Sequence, residues 1–248
     1  MLRELPPSFT ATRDGLHRVA AHVLARRRHA YTGRIGLRAT PGGLGTPAFG
    51  DDLEVTRTSG GFLVTERAGI VNRAPLTTLA AAADLAGVDL DVDFSVGTDT
   101  PPVGDPDAPL AIDPEGARLI GDWYGLGLQV IDELVATEPL VTAADAPQVW
   151  PEHFDLGCIV TVAGDGGLDA GMKVNLGASP GDGAIGEPYL YVGPGPDVRP
   201  GDAAYWNVPF GAALPFAELA SLPEPERRAN AVAFIRTGVA RLAAAHRG

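Results

Sequence analysis

An apolar stripe with helical spacing runs through the middle of the chain and constrains its fold more than any other feature. Side chains three and four residues apart share one face of a helix, so this face has to be buried against a neighbouring element. Asp113 can cap the helix, and Pro114 suits its first turn. Gly127 costs about 1 kcal/mol relative to alanine, which predicts that another element approaches the helix closely there. The stripe consists of Leu119, Ile120, Trp123, Gly127, Val130, Ile131 and Leu134.

Alternating apolar and polar residues predict strands on both sides of this helix. Further helices are predicted over Thr12–Arg28, in the stretch PLTTLAAAADLAG, and from Pro223 onward, where Ser221 and Glu224 have the spacing of a capping box. This order of elements favours an α+β fold, with mainly antiparallel sheet packed against about four helices. The predicted strands lie near 31–38, 53–58, 61–66, 88–96, 156–163, 170–176 and 188–193.

A proline- and aspartate-rich stretch at 97–113 is the best candidate for a linker or a long covering loop. A chain of 248 residues is one large domain or two small ones. We predict a single α+β domain over residues 1–248. The alternative is a pair of packed halves, 1–100 and 110–248, joined by this stretch.

The charge and cysteine content indicate which partners and compartment to expect. A net charge of -12 argues against nucleic acid and anionic membranes as partners, because both require a basic surface. No apolar stretch approaches the 18 residues of a membrane span, and the N-terminus lacks an apolar signal core. Cys158 is the only cysteine, so no intrachain disulfide forms. We therefore expect a cytoplasmic protein, with Cys158 as an inert core residue.

The first helix carries two histidines and a basic cluster for which we expect no chemical role. His22 falls about 140° around the axis from His17, so the two cannot easily share a metal ion. Both are predicted to be surface residues. The cluster RRRH at 26–29 is predicted to end the helix, where cations face the negative end of its dipole. In VDLDVDFSV, at 88–96, the aspartates are predicted to line the wet face of a strand.

The stretch EHFD, at 152–155, is the strongest candidate for chemistry. If 153–162 is extended, His153 and Asp155 share one face, and the aspartate can orient the imidazole and raise its basicity. We predict His153 as general acid or base and Asp155 as its orienting group. Neighbouring antiparallel strands and the glycine-rich loop between them are predicted to complete one polar, ligand-binding surface. Its predicted members are Lys173, Asn175, Ser179, Asp182, Glu187, Tyr189 and Tyr191.

Several functions fit this surface. Binding of a small polar molecule, or acid–base catalysis on one, needs only a concave polar face with aromatic residues. A metal-dependent hydrolase would use His153 with Glu152, Asp155, Asp182 or Glu187, but a second nearby histidine is missing, so no metal ligand and no cofactor is predicted. A nucleophilic hydrolase would use Ser179, whose surroundings depart from G-x-S-x-G. In the structural alternative, Glu152 and His153 end a loop and Asp155 accepts from backbone amides.

A protein-interaction or self-association module without catalysis is the alternative from another class. It predicts an exposed apolar patch near YWNVPFGAALPF, and the oligomeric state stays open. The large aromatics Trp150, Tyr205 and Trp206 are expected to seal the join between sheet and helices rather than to line a pocket.

Five stretches together resemble a family of uncharacterised actinobacterial proteins that is grouped only as a domain of unknown function. The resemblance spans most of the chain in short pieces, and it implies a soluble bacterial protein. It implies no activity, so no role transfers from the family to any residue here. The stretches are TRDGLH, GTPAFGDD, EHFDLGCIVTVAG, GASPGDGAIGEPYLYVGP and YWNVPFGAAL.

Overall fold

A computed structural model of the chain describes residues 4–164, 167–194 and 199–246. The described residues fall into two units. The first unit comprises 4–125 and 148–155, and the second comprises 126–147 together with the described residues from 156 onward. The division lies inside the central helix, whereas the two-half alternative placed it at 97–113. Every strand pair that forms the two main sheets is antiparallel, which confirms the predicted α+β class.

The elements follow one another in this order. They are α1 (Phe9–Val19), a π-helical turn (Ala20–Ala25), α2 (Arg26–Thr32), β1 (Arg38–Thr40), β2 (Gly43–Gly45), β3 (Val55–Ser59), β4 (Phe62–Arg67), β5 (Ile70–Pro75), α3 (Leu79–Ala86), α4 (Pro114–Thr137), β6 (Val141–Ala144), β7 (Gln148–Trp150), β8 (Asp155–Gly164), β9 (Gly167–Ser179), β10 (Tyr189–Gly193), β11 (Ala212–Pro215), α5 (Phe216–Ala220) and α6 (Glu224–His246).

The first unit contains a five-stranded sheet in the order β1-β2-β3-β4-β5. The helical segment α1–π–α2 is continuous, and its apolar residues Leu16, Val19, Val23 and Leu24 are fully buried. The predicted strand at 31–38 is wrong, because the helix continues to Thr32 and ends at Gly33, whose φ of 66° is the left-handed geometry that favours glycine. Between this helix and β3, the short strands β1 and β2 pair as a hairpin.

The stretch 88–96 forms no strand, so this prediction is also wrong. Side chains of the first helix bond the carbonyls of the 88–105 segment instead. Arg26 donates to Val92 O, and Arg18 donates to Val103 O and, at 3.0 Å, to Asp105 O. The segment thus covers the helix as a loop, and helix side chains, not a neighbouring strand, donate to several of its carbonyls.

This covering loop also corrects the expectations for His22 and the basic cluster. His22 is buried rather than exposed, and its Nε2–H donates to Pro101 O at 2.6 Å. Burial lowers the pKa of His22, so the ring is neutral near pH 7. Within the basic cluster, Arg27 forms a two-pronged ion pair with the buried Glu54, at 2.7 and 2.8 Å. Arg26 and Arg27 therefore make tertiary contacts, and of this cluster only His29 lies in the last turn of the helix.

The second unit contains strands in the order β11-β10-β9-β8-β6. One face of this sheet is apolar and buried, with Val160, Val174, Leu176, Ala178 and Val192. Gly127 of α4 packs against it, since a Cβ on this glycine would lie 2.6 Å from Ala178 Cβ. The predicted close approach at Gly127 is therefore confirmed.

The helix ends show which cap predictions hold. Asp113 accepts from the backbone N–H groups of Glu115 and Gly116 at the start of α4, as predicted. Ser221 does not cap α6, because it follows α5 directly and its hydroxyl donates to Glu218 O. None of the helices in the described parts of the chain has the length and apolarity needed to cross a membrane.

Candidate functional site

The candidate site begins at a tight turn, residues 151–154, that precedes β8. Phe154 N–H donates to Trp150 O at 2.8 Å, and Phe154 has a φ of 54°, an unusual value for a residue with a side chain. The expectation that 153–162 is one strand is thus wrong at its start, because β8 begins only at Asp155. His153 lies in the turn, and its side chain is 56% exposed.

Two donors, the half-buried His17 and the buried Tyr124, hold this turn in place. His17 Nε2 lies 3.0 Å from Pro151 O and 3.1 Å from Glu152 O, and its ring stacks on Phe154 with the centroids 5.1 Å apart. Tyr124 donates its hydroxyl proton to Phe154 O at 2.8 Å. Desolvation lowers the pKa of His17 and raises that of Tyr124 well above its ordinary value, so both groups are neutral donors near pH 7.

Three ligand-type side chains converge at this turn. His153 Nδ1 lies 3.2 Å from Asp99 Oδ2, and His153 Nε2 lies 3.9 Å from Glu152 Oε2. One ligand atom from each of Asp99, Glu152 and His153 lies within 4.8 Å of the others. We call these three residues the carboxylate–histidine cluster. It combines two carboxylates with one imidazole, which is a donor set that suits divalent cations.

The loop that carries Asp99 is fitted closely to the turn. Gly97 has a φ of 151°, and a Cβ there would lie 2.0 Å from the carboxyl carbon of Glu152. Thr100 Oγ1 accepts from Val96 N–H and Gly97 N–H, both at 3.0 Å. The backbone N–H of Asp99 donates to Glu152 Oε1 at 3.3 Å. Because His22 bonds this loop and His17 bonds the turn, one helical segment fixes both parts of the cluster.

Asp155, the predicted orienting group for His153, is buried in the first unit. Its charge raises the pKa of Tyr124 further. The carboxylate at Nδ1 of His153 is Asp99, which the sequence pattern did not single out. Asp99 belongs to the stretch that we expected to be a linker, and neither its spacing nor its neighbours indicate which side chain it faces.

The other seven predicted site residues belong to the second unit. Strand register places Lys173 and Asn175 of β9 on one face with Tyr189 and Tyr191 of β10, as the alternation predicted. Ser179, expected in the glycine-rich loop, is the last residue of β9 and shares this face. Tyr189 is paired with Ser179, and Tyr191 is paired with Gly177. Lys173 Nζ donates to Thr161 Oγ1 on the neighbouring strand at 2.7 Å. These residues form a surface of their own unit, which contains neither His153 nor Asp155.

Three of the seven accept hydrogen bonds from backbone N–H groups. Asp182 accepts from Ala184 N–H, Ile185 N–H and the Tyr189 hydroxyl, at 2.7, 2.8 and 2.6 Å, so it closes the glycine-rich loop. Glu187 accepts from Ala217 N–H at 2.9 Å in the first turn of α5. Ser179 is buried and accepts from Gly181 N–H at 3.1 Å. A buried hydroxyl engaged with the backbone does not fit the role of an exposed nucleophile.

The large aromatics mostly perform the packing role expected of them. Tyr205 donates to Phe234 O at 2.9 Å, and buried Trp206 donates to Pro200 O at 2.8 Å. Trp150 is partly exposed. In YWNVPFGAALPF, Phe210 is 37% exposed while Trp206 and Phe216 are buried.

The chain matches no protein-family model, no curated protein and no solved structure.

Proposed function

We propose that the carboxylate–histidine cluster binds a divalent metal ion of the zinc or manganese type, and that a small polar molecule binds at this metal. One observation carries the proposal: a carboxylate oxygen of Asp99, one of Glu152 and a ring nitrogen of His153 lie within 4.8 Å of one another. Ligand atoms around one such ion are about 3 Å apart, since each bond is about 2.1 Å long. Small side-chain rotations therefore suffice to close the site.

The electrostatics of the cluster favour a cation. Two carboxylates face one imidazole, and the chain as a whole carries a net charge of -12, so a metal ion relieves repulsion within the cluster. Two of the three side chains are largely exposed, Asp99 by 67% and His153 by 56%. A molecule from solvent can therefore reach the ion.

Three protein ligands leave coordination positions open. Catalytic zinc sites have this arrangement, in which a bound water or substrate takes the remaining position. A metal ion there would lower the pKa of its water and polarise a carbonyl or phosphoryl group. The proposal joins two hypotheses that the sequence left separate, a metal-dependent hydrolase and a binder of a small polar molecule.

The test is calorimetric titration of chelator-treated protein with zinc and with manganese. We expect one ion per chain, with affinity at least about tenfold weaker in Asp99→Asn, Glu152→Gln and His153→Ala, because each removes one ligand. Asp107→Asn is the matched control, since Asp107 is an exposed carboxylate of the same loop outside the cluster. Absence of stoichiometric binding, or equal affinity in all four variants, would contradict the proposal.

The competing function is metal-free acid–base catalysis by His153. The 3.2 Å contact between Asp99 Oδ2 and His153 Nδ1 favours it, because a carboxylate at one ring nitrogen orients the other towards a substrate. In this case Asp99, not Asp155, is the orienting group. Native mass spectrometry of protein purified without chelator separates the two: a stoichiometric metal supports the first, and a bound organic molecule without metal supports the second.

We further infer a cytoplasmic location and membership of the actinobacterial family that the sequence resembles. The location is supported by the lone thiol, which donates to Asp145 O at 3.2 Å, while burial raises the pKa of Cys158 to about 11. Such a thiol is protonated and unreactive at neutral pH. Self-association through Phe210 remains the alternative from another class, and light scattering of the purified protein tests it.

A further inference from the structure

A second candidate site lies in the first unit, apart from the carboxylate–histidine cluster. It is a pocket of about 210 Å³ between the end of α2, the 49–54 turn and the end of β4. The segment GTPAFGDD, which the proposed function leaves unexplained, supplies four of its lining residues. Its main lining side chains are Tyr31, Phe49, Asp51, Asp52, Glu54 and Arg67.

One wall of the pocket is aromatic. The rings of Tyr31 and Phe49 are 5.6 Å apart between centroids and inclined by 47°, and Tyr31 is 53% exposed. The guanidinium of Arg27 lies 4.7 Å from the centroid of the Tyr31 ring. This ring thus already attracts one cation, and aromatic walls of this kind are the usual binding partners of organic cations.

Of the three carboxylates around the pocket, two are paired with arginines and one is not. Glu54 is held by both prongs of Arg27, at 2.7 and 2.8 Å, and Asp52 Oδ2 accepts from Arg67 Nε at 2.9 Å. Asp51 has neither a hydrogen bond nor an ion pair within the described ranges. Three carboxylates against two arginines give a charge of about −1 at neutral pH. An anion would be repelled, and a monovalent cation would neutralise the pocket.

The backbone presents Asp51 in a fixed turn. Phe49 and Glu54 exchange two backbone hydrogen bonds, of 3.1 and 2.8 Å, and the turn between them uses positive φ at Gly50 and Leu53. Ala68 N–H donates to Asp52 O at 3.2 Å, which ties this turn to the end of β4. The backbone that carries Asp51 and Asp52 is therefore set before any ligand binds, which lowers the entropic cost of binding.

We propose that this pocket binds a small organic cation, with an ammonium or guanidinium head group beside Asp51 and against Tyr31 and Phe49. Pockets for drug-sized ligands have about 300 Å³ or more, so the smaller volume here suits one head group and a short alkyl chain. Either a free amine or a lysine or arginine side chain of another protein presents this chemistry. The proposal does not depend on metal binding at the other site.

The test is a titration followed by nuclear magnetic resonance of backbone amides, with n-butylammonium and methylguanidinium as probes. We expect saturable shifts at Gly50, Asp51 and Tyr31, and none from n-butanol, which has the same shape without the charge. Asp51→Asn and Tyr31→Leu should each weaken binding about two- to fivefold, since exposed ion-pair and cation–aromatic contacts have this strength. Asp107→Asn again serves as the control and should bind like the parent.

The outcomes separate the proposal from its alternatives. Equal shifts from n-butanol, or undiminished binding in Asp51→Asn and Tyr31→Leu together, would overturn it, as would a lack of saturation with both cations. A capped Gly-Lys-Gly peptide distinguishes the two sources of the cation. If the peptide binds as well as n-butylammonium, the ligand is a side chain of another protein. If only the free amine binds, the ligand is a small molecule.

Discussion

The two units build their polar surfaces in different ways. In the second unit, Lys173, Asn175, Tyr189 and Tyr191 share a face because strand register dictates it, and alternation in the sequence was enough to predict this. In the first unit, Asp99 and His153 meet because a loop and a turn are each bonded to one helix, by the buried His22 and the half-buried His17. Regular backbone pairing places side chains predictably, whereas side-chain bonds to loop carbonyls place them without a local pattern.

The largest change in stability is expected at Gly177, in the sheet of the second unit. A Cβ there would lie 2.3 Å from Leu156 O and 2.5 Å from the ring of Tyr191, so Gly177→Ala forces the sheet backbone to move. We expect a loss of about 3 kcal/mol in the free energy of unfolding, measured with urea. Gly125→Ala is the control, because nothing lies near its Cβ position and alanine favours the helix. A loss below that of typical surface variants would show that the sheet register tolerates displacement.

The next largest effect concerns the turn at 151–154 in the first unit, which Tyr124 holds in place. Tyr124→Phe leaves the buried Phe154 O without its donor, which should cost about 2 kcal/mol and also weaken metal binding. Tyr205→Phe is the matched change in the second unit, since it removes a donor to Phe234 O. We expect it to lower stability while metal affinity stays unchanged in calorimetry. If both variants weaken the metal equally, the turn is not positioned by Tyr124.

A third change addresses the site with little effect on the fold. In Gly97→Ala the new Cβ meets only the end of the flexible Glu152 side chain, which can move away at low cost. We expect at most about 1 kcal/mol of destabilisation from the strained φ, but about tenfold weaker metal binding, because Glu152 is displaced from the cluster. Unchanged affinity, measured by calorimetry, would mean that Glu152 is not a ligand.

The smallest effect concerns pH. His17 and His22 have pKa values below the ordinary 6.5, because burial disfavours their charged forms. Below about pH 6.5 the unfolded chain therefore binds more protons than the folded chain. The contribution of the two neutral histidines to the free energy of unfolding should be complete above pH 6.5. It should be lost as the pH falls from 6.5 through their lowered pKa values in the folded chain. Urea unfolding at pH 7.5 and 5.5 should show a smaller pH difference in His17→Gln and His22→Gln; an unchanged difference assigns the dependence to other groups.

The sequence correctly predicted those helices and strands in which apolar residues repeat with the period of the element, because that repeat marks the face that is buried. The stripe of α4 is buried, and the strands near 53–58 and 61–66 form β3 and β4. The strand prediction for 88–96 failed although apolar and polar residues alternate there, because the stretch covers a helix as a loop and Val92 O accepts from Arg26, 66 residues earlier. That helix also looked half polar, so His22 seemed exposed. When a loop covers a helix face, neither the helix nor the loop shows a regular spacing of apolar residues that would reveal the contact.

Asp99 illustrates the same limit for the candidate site. His153 was found because it stands two residues before Asp155, at the start of a predicted strand. Asp99 was missed because its partner is 54 positions away along the chain and the contact depends on Gly97 and Thr100 shaping the loop. Asp182 and Glu187 were assigned to a ligand, yet they hold a loop and a helix end. Sequence pattern identifies chemically capable side chains but does not tell which of them the backbone itself requires.

The π-helical turn at Ala20–Ala25 determines the phase between the two ends of the first helix. A π turn takes up one more residue than an α-helical turn, so it absorbs this residue while the helix on either side keeps its facing. Deleting one residue from the turn should therefore restore α geometry with His17, Arg26 and Arg27 still facing their partners. Inserting one residue there should instead rotate Arg26 and Arg27 by about 100° relative to His17, away from Val92 O and Glu54.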